Sequence, residues 1–414
     1  MNILRIAWRN IWRNSRRTTI TVAAVALNTA ILIVSYGLMY GMLEDTVHNI
    51  THMVVGDAQI HAPEYRADHS FYRTIPDPEK IIAAAKKDGI DASPRSYGYG
   101  LVSVGHKSAG ALFWGVDPVL ERQALELAGQ LKAGEYLSEK RELPQEGQLR
   151  KREIVLGRKL AKSLHAEVGA EIVAVVQAAD GSLGNELFVV KGILKTVGDE
   201  IDRSAAITHK LDFEDLFVSG GRIHEIALNA HGKFTPDQIV ERLKTVAEDS
   251  EVLAWGGIIP ALSDMVQMFD ASMWIFGFIF FLAAGLGVMN TMLMATFERM
   301  REFGMLKAMG ATPWRIIRDV TSEAFMLALF STAIGLVIGV AANYYFHIWG
   351  IDLSGVGGDV LISGVAFNPV WKATMNTGSF VNIVLVMWTV CLAATLYPAV
   401  KAARLDPVRA MTHV

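Results

Sequence analysis

The apolar residues of this chain are concentrated in four long runs, separated by stretches in which polar and apolar residues alternate as in soluble proteins. A membrane-spanning helix needs about 20 mostly apolar residues, and each run reaches that length. We therefore predict a membrane protein with four transmembrane α-helices, at 18–42, 269–297, 320–346 and 379–398. Residues 43–268, between the first two spans, are numerous enough for a large folded domain.

The inserted region carries two kinds of periodicity, which together predict an α+β domain. Short runs of strand character predict strands at 57–61, 99–104, 112–116, 154–156, 171–176, 187–194, 205–207 and 225–228. Helical spacing predicts helices at 78–87, 157–164 and 236–248. Residues 180–185 lie between two predicted strands and are typical of a hairpin turn.

Charge gives the spans an orientation. Only 20% of the residues are charged, and lysine and arginine are enriched in the cytoplasmic loops of membrane proteins. Residues 1–17 hold five arginines, 298–319 hold five basic residues, 399–414 hold three, and 347–378 hold one. We predict that both termini and the connection between spans two and three are cytoplasmic. The inserted domain and the connection between spans three and four then lie outside.

The first 17 residues combine arginines with apolar residues at helical spacing, including Trp8 and Trp12. We predict an amphipathic helix on the inner leaflet; the alternative is a simple basic anchor with interfacial tryptophans. The apolar run that follows has 25 residues, which exceeds the 7–15 or so of a signal peptide. We therefore predict that it is a retained span.

Catalytic and metal-binding patterns are missing from the sequence. It contains no phosphate-binding loop for ATP and no nucleophile paired with an acid or base. His48 and His52 are four residues apart, as metal ligands on one helix face are, but no third ligand follows at motif spacing. We predict no metal site there and no catalytic residue. The single cysteine, Cys391, excludes an intramolecular disulfide.

The connection after the second span has mixed charge and helix-forming composition, and Gly310 followed by Pro313 ends the predicted helix 298–309. The segment 290–318 closely resembles the cytoplasmic coupling element of the FtsX/MacB/Lol-type permeases. These are the membrane subunits of mechanotransmission (type VII) ABC transporters. Segments 7–18, 155–172 and 397–410 resemble other stretches of the same family.

Within this family the chain looks most similar to the LolC/LolE lipoprotein-releasing branch. MacB proteins carry a fused ATPase, which this sequence lacks, and FtsX proteins have a smaller external domain. The resemblance implies an inner-membrane location with the inserted domain in the periplasm. It also implies a separate cytoplasmic ATPase that uses ATP and Mg²⁺, a second permease subunit, identical or related, and possible periplasmic partners, namely a lipoprotein carrier or an adaptor. No cofactor is expected on this chain.

The resemblance further implies that the coupling segment docks onto the ATPase. The residues expected to do so are Glu298, Arg299, Arg301, Glu302, Met305, Lys307, Met309, Gly310 and Trp314. Apolar side chains on such a helix insert into a partner's groove, and charged neighbours form a polar rim that sets the register. The alternative is a helix that rests on lipid headgroups.

Methionine is heavily used around the start of the second span. The family resemblance implies that an acylated substrate is accepted between the first and second spans, and flexible methionines can repack around varied apolar ligands. The candidate contacts are Met39, Met42, Leu262, Met265, Val266, Phe269 and Met273. The alternative is that these residues face lipid or pack in the interior. Gly256 and Gly257 replace a polar pair that is common in related sequences.

Two features of the third span also carry predictions. Gly335 and Gly339 have the spacing of small residues that let helices pack closely, and we predict packing within the chain. Glu323 is an acidic residue near the predicted cytoplasmic end of the span, where it is expected to reach Arg318 or water.

The sequence therefore predicts a permease subunit that couples ATP hydrolysis by a separate ATPase to a periplasmic conformational change. The predicted outcome is extraction of lipoproteins or similar lipid-anchored substrates from the inner membrane. Two alternatives remain open: efflux of antibiotics or peptides with an adaptor and an outer-membrane channel, and FtsX-like activation of a periplasmic hydrolase.

Overall fold

The computed structural model describes residue 9 and residues 12–141, 152–352, 361–362, 365–366 and 370–404. The chain divides into two compact units. The membrane unit comprises residues 1–44, 266–353 and 370–414, and the external unit comprises residues 45–265 and 354–369. Most of the predicted N-terminal helix at 1–17 lies outside the described residues, apart from a 3₁₀ turn at Trp12–Asn14 and the start of the next helix.

Four helices are long and apolar enough to cross a membrane, which confirms the predicted number of spans. We call them the first to fourth spans: Ser15–Ile50, Pro260–Glu298, Pro313–Trp349 and Thr377–Ala403. Each helix is longer than the predicted span, because hydropathy marks the part that fits in hydrocarbon and not where the backbone hydrogen bonding ends. The first span continues into a π-helical turn at Thr51–Val55.

The core of the membrane unit is built from side chains of all four spans. Ile33, Val288, Ala324 and Met387 are each at most 1% exposed. Cys391 is buried in the same core, so the thiol serves as a small apolar group. The side chain of Trp388 donates a hydrogen bond to Thr332 at 2.7 Å, which satisfies a polar pair between the third and fourth spans.

The first and third spans approach each other at two glycines. A Cβ atom at Gly335 would lie 2.5 Å from the carbonyl oxygen of Ala26, and one at Gly339 would lie 3.0 Å from the Cα of Ala30. No rotamer change can relieve contact with a backbone atom. The glycine pair therefore packs within the chain, as its spacing predicts.

Gly335→Leu should push the first and third spans apart, since the added side chain meets backbone. We expect the purified protein to lose its monodisperse gel-filtration peak or to melt many degrees lower in detergent. The matched control is Gly287→Leu in the second span, where no atom lies within 4 Å of the added Cβ. Equal behaviour of the two variants would contradict close packing at Gly335.

The external unit is organised around a ten-stranded sheet. Its strands are β1 Ala58–His61, β2 Asp91–Val104, β3 Lys107–Val116, β4 Leu131–Gly134, β5 Arg152–Leu156, β6 Glu171–Gln177, β7 Leu183–Leu194, β8 Ala205–His209, β9 Glu225–Asn229 and β10 Glu251–Ala254. The order is β10-β1-β9-β2-β3-β8-β5-β7-β4, and β6 pairs with β2 and β7. Among the described strands, the pairs β3–β8 and β5–β7 are parallel.

Helices pack against this sheet and complete the predicted α+β architecture. Their bounds are Tyr65–Asp68, Pro78–Lys87, Pro118–Ala124, Arg158–Leu164, Asp199–Ser204, Lys210–Phe217, Pro236–Lys244 and Trp255–Ile258. One apolar core gathers Phe113, Phe188 and Phe213, and a second gathers Ile60 and Ile226. Two short antiparallel strand pairs follow the third span. They are Ile351–Asp352 with Val370–Trp371 and Leu361–Ile362 with Val365–Ala366.

All eight predicted strands are present, and the predicted hairpin joins β6 to β7 around Gly181, whose φ is +85°. The prediction missed β4 and β10 as well as five of the short helices: Tyr65–Asp68, Pro118–Ala124, Asp199–Ser204, Lys210–Phe217 and Trp255–Ile258. The last predicted helix, 236–248, is wrong at its end, because it stops at Lys244. The missed strand β4 is mostly exposed and contains no β-branched residue, so no alternation marks it.

Candidate functional site

The coupling helix, Met300–Ala308, connects the second and third spans. The prediction of one helix over 298–309 is wrong at its start, because Arg299, with φ −108° and ψ 13°, breaks the helix between Glu298 and Met300. At the other end the amides of Gly310 and Ala311 donate to the carbonyls of Lys307 and Leu306 at 2.9 and 3.0 Å. This is the hydrogen bonding of a glycine C-cap, and Gly310 has the required positive φ of +94°.

Three of the predicted coupling residues, Glu298, Arg299 and Glu302, form ion pairs within the chain. Arg17 pairs with Glu298 at 2.9 Å and Arg13 pairs with Glu302 at 2.6 Å. Arg299 bridges Glu302 at 3.0 Å and Glu323 at 2.5 Å. We call these residues the ion-pair clasp: Arg13, Arg17, Glu298, Arg299, Glu302 and Glu323. The clasp joins the turn Trp12–Asn14, the first three spans and the coupling helix.

Within the clasp, the surroundings of Glu302 favour its charged form. Burial of Glu302 favours the neutral acid, but hydrogen bonds from Arg13 and Arg299 outweigh it and hold the pKa of Glu302 below its usual value. The expected contact of Glu323 with Arg318 or water is wrong, since Glu323 is 7% exposed and bonded to Arg299. Lys307 also turns inward and donates to the carbonyl of Ala403 at 2.8 Å, at the end of the fourth span.

Four of the remaining coupling residues have exposed side chains. Met305, Met309 and Trp314 are 51%, 77% and 71% exposed, and Arg301 is exposed as well. Arg301, Met305 and Met309 recur every four residues, so they share one helix face. We call the side chains of Arg301, Met305, Met309 and Trp314 the docking face. On the opposite side of the helix, Phe303 is 2% exposed and packs into the membrane core.

The seven predicted substrate contacts are divided between the two units. Leu262 and Met265 belong to the external unit, and the others belong to the membrane unit. Met42 and Leu262 are buried, at 9% and 5% exposure, so they pack inside the chain. The other five residues are partly buried: Met39, Met265, Val266, Phe269 and Met273.

A polar contact that the sequence prediction missed lies among these methionines. The hydroxyl of Tyr40 donates to the carboxylate of Asp270 at 2.5 Å and ties the first span to the second. Tyr40 also stacks on Tyr36, with ring centroids 4.3 Å apart. Tyr40 and Asp270 follow Met39 and Phe269 directly in sequence, so a polar pair lies next to two of the predicted apolar contacts.

The external unit contains a cavity of about 550 Å³. Its walls include His61, Tyr65, Tyr97 and Trp114. Arg95 and Glu225 also line the cavity. Arg95 is completely buried and pairs with Glu121 at 2.6 Å and with Glu225 at 2.9 Å. Burial favours the neutral form of Glu225, but the hydrogen bond from His61 and the charge of Arg95 lower its pKa to about 2.

Two family models match the sequence. The MacB-like periplasmic core domain matches residues 18–246, and the FtsX-like permease C-terminal domain matches residues 274–407. The first covers more than half of the chain. The second includes the coupling helix, the docking face and the last two spans. It also includes four of the six clasp residues, whereas Arg13 and Arg17 lie just before the first matched region.

Individual relatives resemble the chain over different shares of its length. The lipoprotein-releasing system transmembrane protein LolC of Neisseria meningitidis is 21% identical over 408 residues, which cover 96% of this chain and 94% of LolC. The macrolide export ATP-binding/permease protein MacB of Marinobacter nauticus is 29% identical over 46% of this chain and 24% of its own length. The solved periplasmic region of MacB from Actinobacillus actinomycetemcomitans aligns with a TM-score of 0.37 at 15% identity, covering 53% of this chain and 97% of its own.

The predicted resemblance of this sequence to the FtsX/MacB/Lol-type permeases is thus confirmed, since the two matched regions together span most of the chain. The chain belongs to the FtsX- and MacB-like family of ABC transporter permeases and is an inner-membrane protein with a MacB-like periplasmic domain between its first and second membrane helices.

Proposed function

We propose that this permease subunit transmits the movement of a separate cytoplasmic ATPase to its periplasmic domain, and so extracts lipoproteins or similar lipid-anchored substrates from the inner membrane. The observation that carries the proposal is the docking face. Three large apolar side chains, Met305, Met309 and Trp314, lie exposed around a turn whose other residues are fixed within the chain. Exposed apolar groups beside polar ones are typical of a protein interaction site.

The proposed coupling uses the docking face and the clasp in different ways. The docking face enters a groove on the ATPase, as an amphipathic helix does. The clasp and the bond from Lys307 to Ala403 connect the coupling helix to the first three spans and to the end of the fourth. Displacement of the coupling helix is therefore shared among the spans. ATP and Mg²⁺ act in the partner, and no residue of this chain takes part in covalent chemistry.

The orientation in this proposal comes from the basic residues. The arginines before the first span and those around the coupling helix lie on the cytoplasmic side by the positive-inside rule. The docking face is then accessible to a cytoplasmic ATPase. A second permease subunit, identical or related, pairs with this one, so two copies of the ATPase are engaged.

The proposed substrate contacts are the partly buried residues beside the Tyr40–Asp270 pair, especially Met39, Phe269 and Met273. Their flexible or broad apolar side chains suit acyl chains. Met42 and Leu262 would act indirectly, by packing. Lipoprotein as the substrate class is supported by the match to LolC over nearly the whole length of both chains.

The test is reconstitution of the permease with the ATPase that co-purifies with it, in proteoliposomes that contain a triacylated lipoprotein. We expect ATP-dependent release of the lipoprotein to a soluble carrier, and no release with a non-hydrolysable ATP analogue. ATP-dependent efflux of an amphiphilic drug with no lipoprotein release would overturn the substrate assignment. Activation of a cell-wall hydrolase, with transport of neither the lipoprotein nor the drug, would also overturn the substrate assignment.

A further inference from the structure

A cluster of metal-ligating side chains lies where the first span ends. His48 is in the last turn of the helix, and His52 lies in the π-helical turn that follows. Glu126 reaches the same place from just after the helix Pro118–Ala124. One ligand atom from each of the three side chains lies within 4.8 Å of the other two. The sequence lacked a third donor at motif spacing, whereas the fold supplies one from a distant position.

Hydrogen bonds fix the positions of the segments that carry these three residues. The amide of Glu126 donates to the carbonyl of His52 at 2.8 Å. The amide nitrogen of Asn229 lies 2.8 Å from the carbonyl of Ala124 and 3.4 Å from Nδ1 of His52, so one side chain spans both segments. The π-turn is closed by the bond from Gly56 to Thr51 at 2.6 Å. Such turns are rare and occur frequently at functional sites.

The donor set selects a class of metal. Two imidazoles and one carboxylate suit Zn²⁺ and similar transition metals, whereas Mg²⁺ and Ca²⁺ prefer oxygen ligands alone. With ligand bonds of about 2.1 Å, tetrahedral donors lie about 3.4 Å apart. The side chains of His48 and Glu126 are exposed and that of His52 is half-buried, so they have room to change rotamer when a metal binds. Three protein ligands leave a fourth position open.

We propose that His48, His52 and Glu126 bind a divalent transition metal, with Zn²⁺ as the preferred ion and a water or an external ligand in the fourth position. The metal would link the end of the first span to the segment after Pro118–Ala124, within the external unit. The inference is independent of the substrate and of the ATPase, since every residue it uses belongs to the external unit.

Cobalt titration of the full-length protein tests the site. The protein is purified in detergent without a histidine tag, stripped with a chelator and titrated with Co²⁺, whose tetrahedral complexes absorb strongly in the visible. We expect about one Co²⁺ per chain, displaced by Zn²⁺. His48→Ala, His52→Ala and Glu126→Gln should each weaken binding at least about 10-fold, the smallest cost usual even for outer-shell changes.

The matched control is His106→Ala, which removes an exposed histidine at the turn between β2 and β3. It should bind Co²⁺ as the unaltered protein does. A second readout guards against misfolding: Zn²⁺ should raise the melting temperature of the unaltered protein and of His106→Ala, but not that of Glu126→Gln. Absence of stoichiometric binding, or binding that survives all three ligand substitutions, would overturn the proposal.

Discussion

Met309→Glu is expected to abolish recruitment of the ATPase while leaving the permease folded. Met309 is 77% exposed and shares the docking face with Met305, so its replacement strains nothing inside the chain. A charged carboxylate in an apolar groove loses the packing of the methionine and is buried without a partner. Interface anchors of this kind cost about 2–4 kcal/mol when removed, which corresponds to roughly 30-fold to 1,000-fold in affinity.

The measurement is co-purification of the ATPase with the permease, together with the rate of ATP hydrolysis by the recovered complex. Met305→Glu should behave like Met309→Glu, and Met309→Leu should remain close to the unaltered protein because it keeps an apolar side chain of similar volume. Gly310→Glu should also uncouple, since its φ of +94° is strained for any residue with a side chain. Full recovery of an active complex with Met309→Glu would exclude the docking face as the ATPase contact.

Arg95→Leu is expected to have the largest effect on stability. The substitution leaves Glu121, which is completely buried, and Glu225, which is 8% exposed, without their common partner. Breaking a buried ion pair from one side costs about 3–5 kcal/mol. For a domain of about 200 residues each kcal/mol lowers the melting temperature by about 2–4 °C, so we expect a fall of roughly 10 °C.

The appropriate control is Arg73→Leu. Arg73 pairs with Glu64 and Asp68 at 3.0 and 2.9 Å, but its side chain is 38% exposed. Exposed ion pairs contribute about 0–1 kcal/mol, so this variant should melt within a few degrees of the unaltered protein. The measurement is the melting temperature of each purified variant, compared with that of the unaltered protein under the same conditions. Equal losses would show that the buried network does not determine the stability of the external unit.

Acid should act through the same network. The pKa of Glu225 is about 2 in the folded protein, below its usual value of 4.5. A group with a lowered folded pKa stabilises the fold above its unfolded pKa. The stability that it contributes is therefore complete above about pH 4.5 and is lost as the pH falls towards 2. Arg95→Leu removes the main positive charge beside Glu225, so the acid dependence of melting should become shallower in that variant.

The sequence predicts local features of this protein better than distant contacts. Each span contains a long, mostly apolar run, and each of the eight predicted strands contains β-branched or alternating residues. Neighbours in sequence therefore carry the signal. The edge strand Leu131–Gly134 has no such pattern. Composition also places Met305 and Met309 on a coupling segment, but it does not reveal which coupling residues face outward.

The charged residues of the coupling segment show why contacts between distant parts of the chain could not be predicted. Glu298, Glu302 and Lys307 read as a polar rim when only the helix is considered. Their partners are Arg17, Arg13 and the carbonyl of Ala403, which lie at opposite ends of the sequence. A single sequence contains no spacing that relates such positions. The same holds for Glu126 and for the partners of Arg95, which the sheet topology brings together.

The second span has 39 residues and is therefore about 58 Å long at 1.5 Å per residue. The hydrocarbon core of a bilayer is only about 30 Å thick. Its large apolar side chains are exposed over several turns, from Trp274 to Phe297. A helix with surplus apolar length accommodates a thinner bilayer by tilting, at a modest cost per ångström. The tilt angle of the second span therefore depends on the thickness of the host membrane, which is set by the length of its lipid chains.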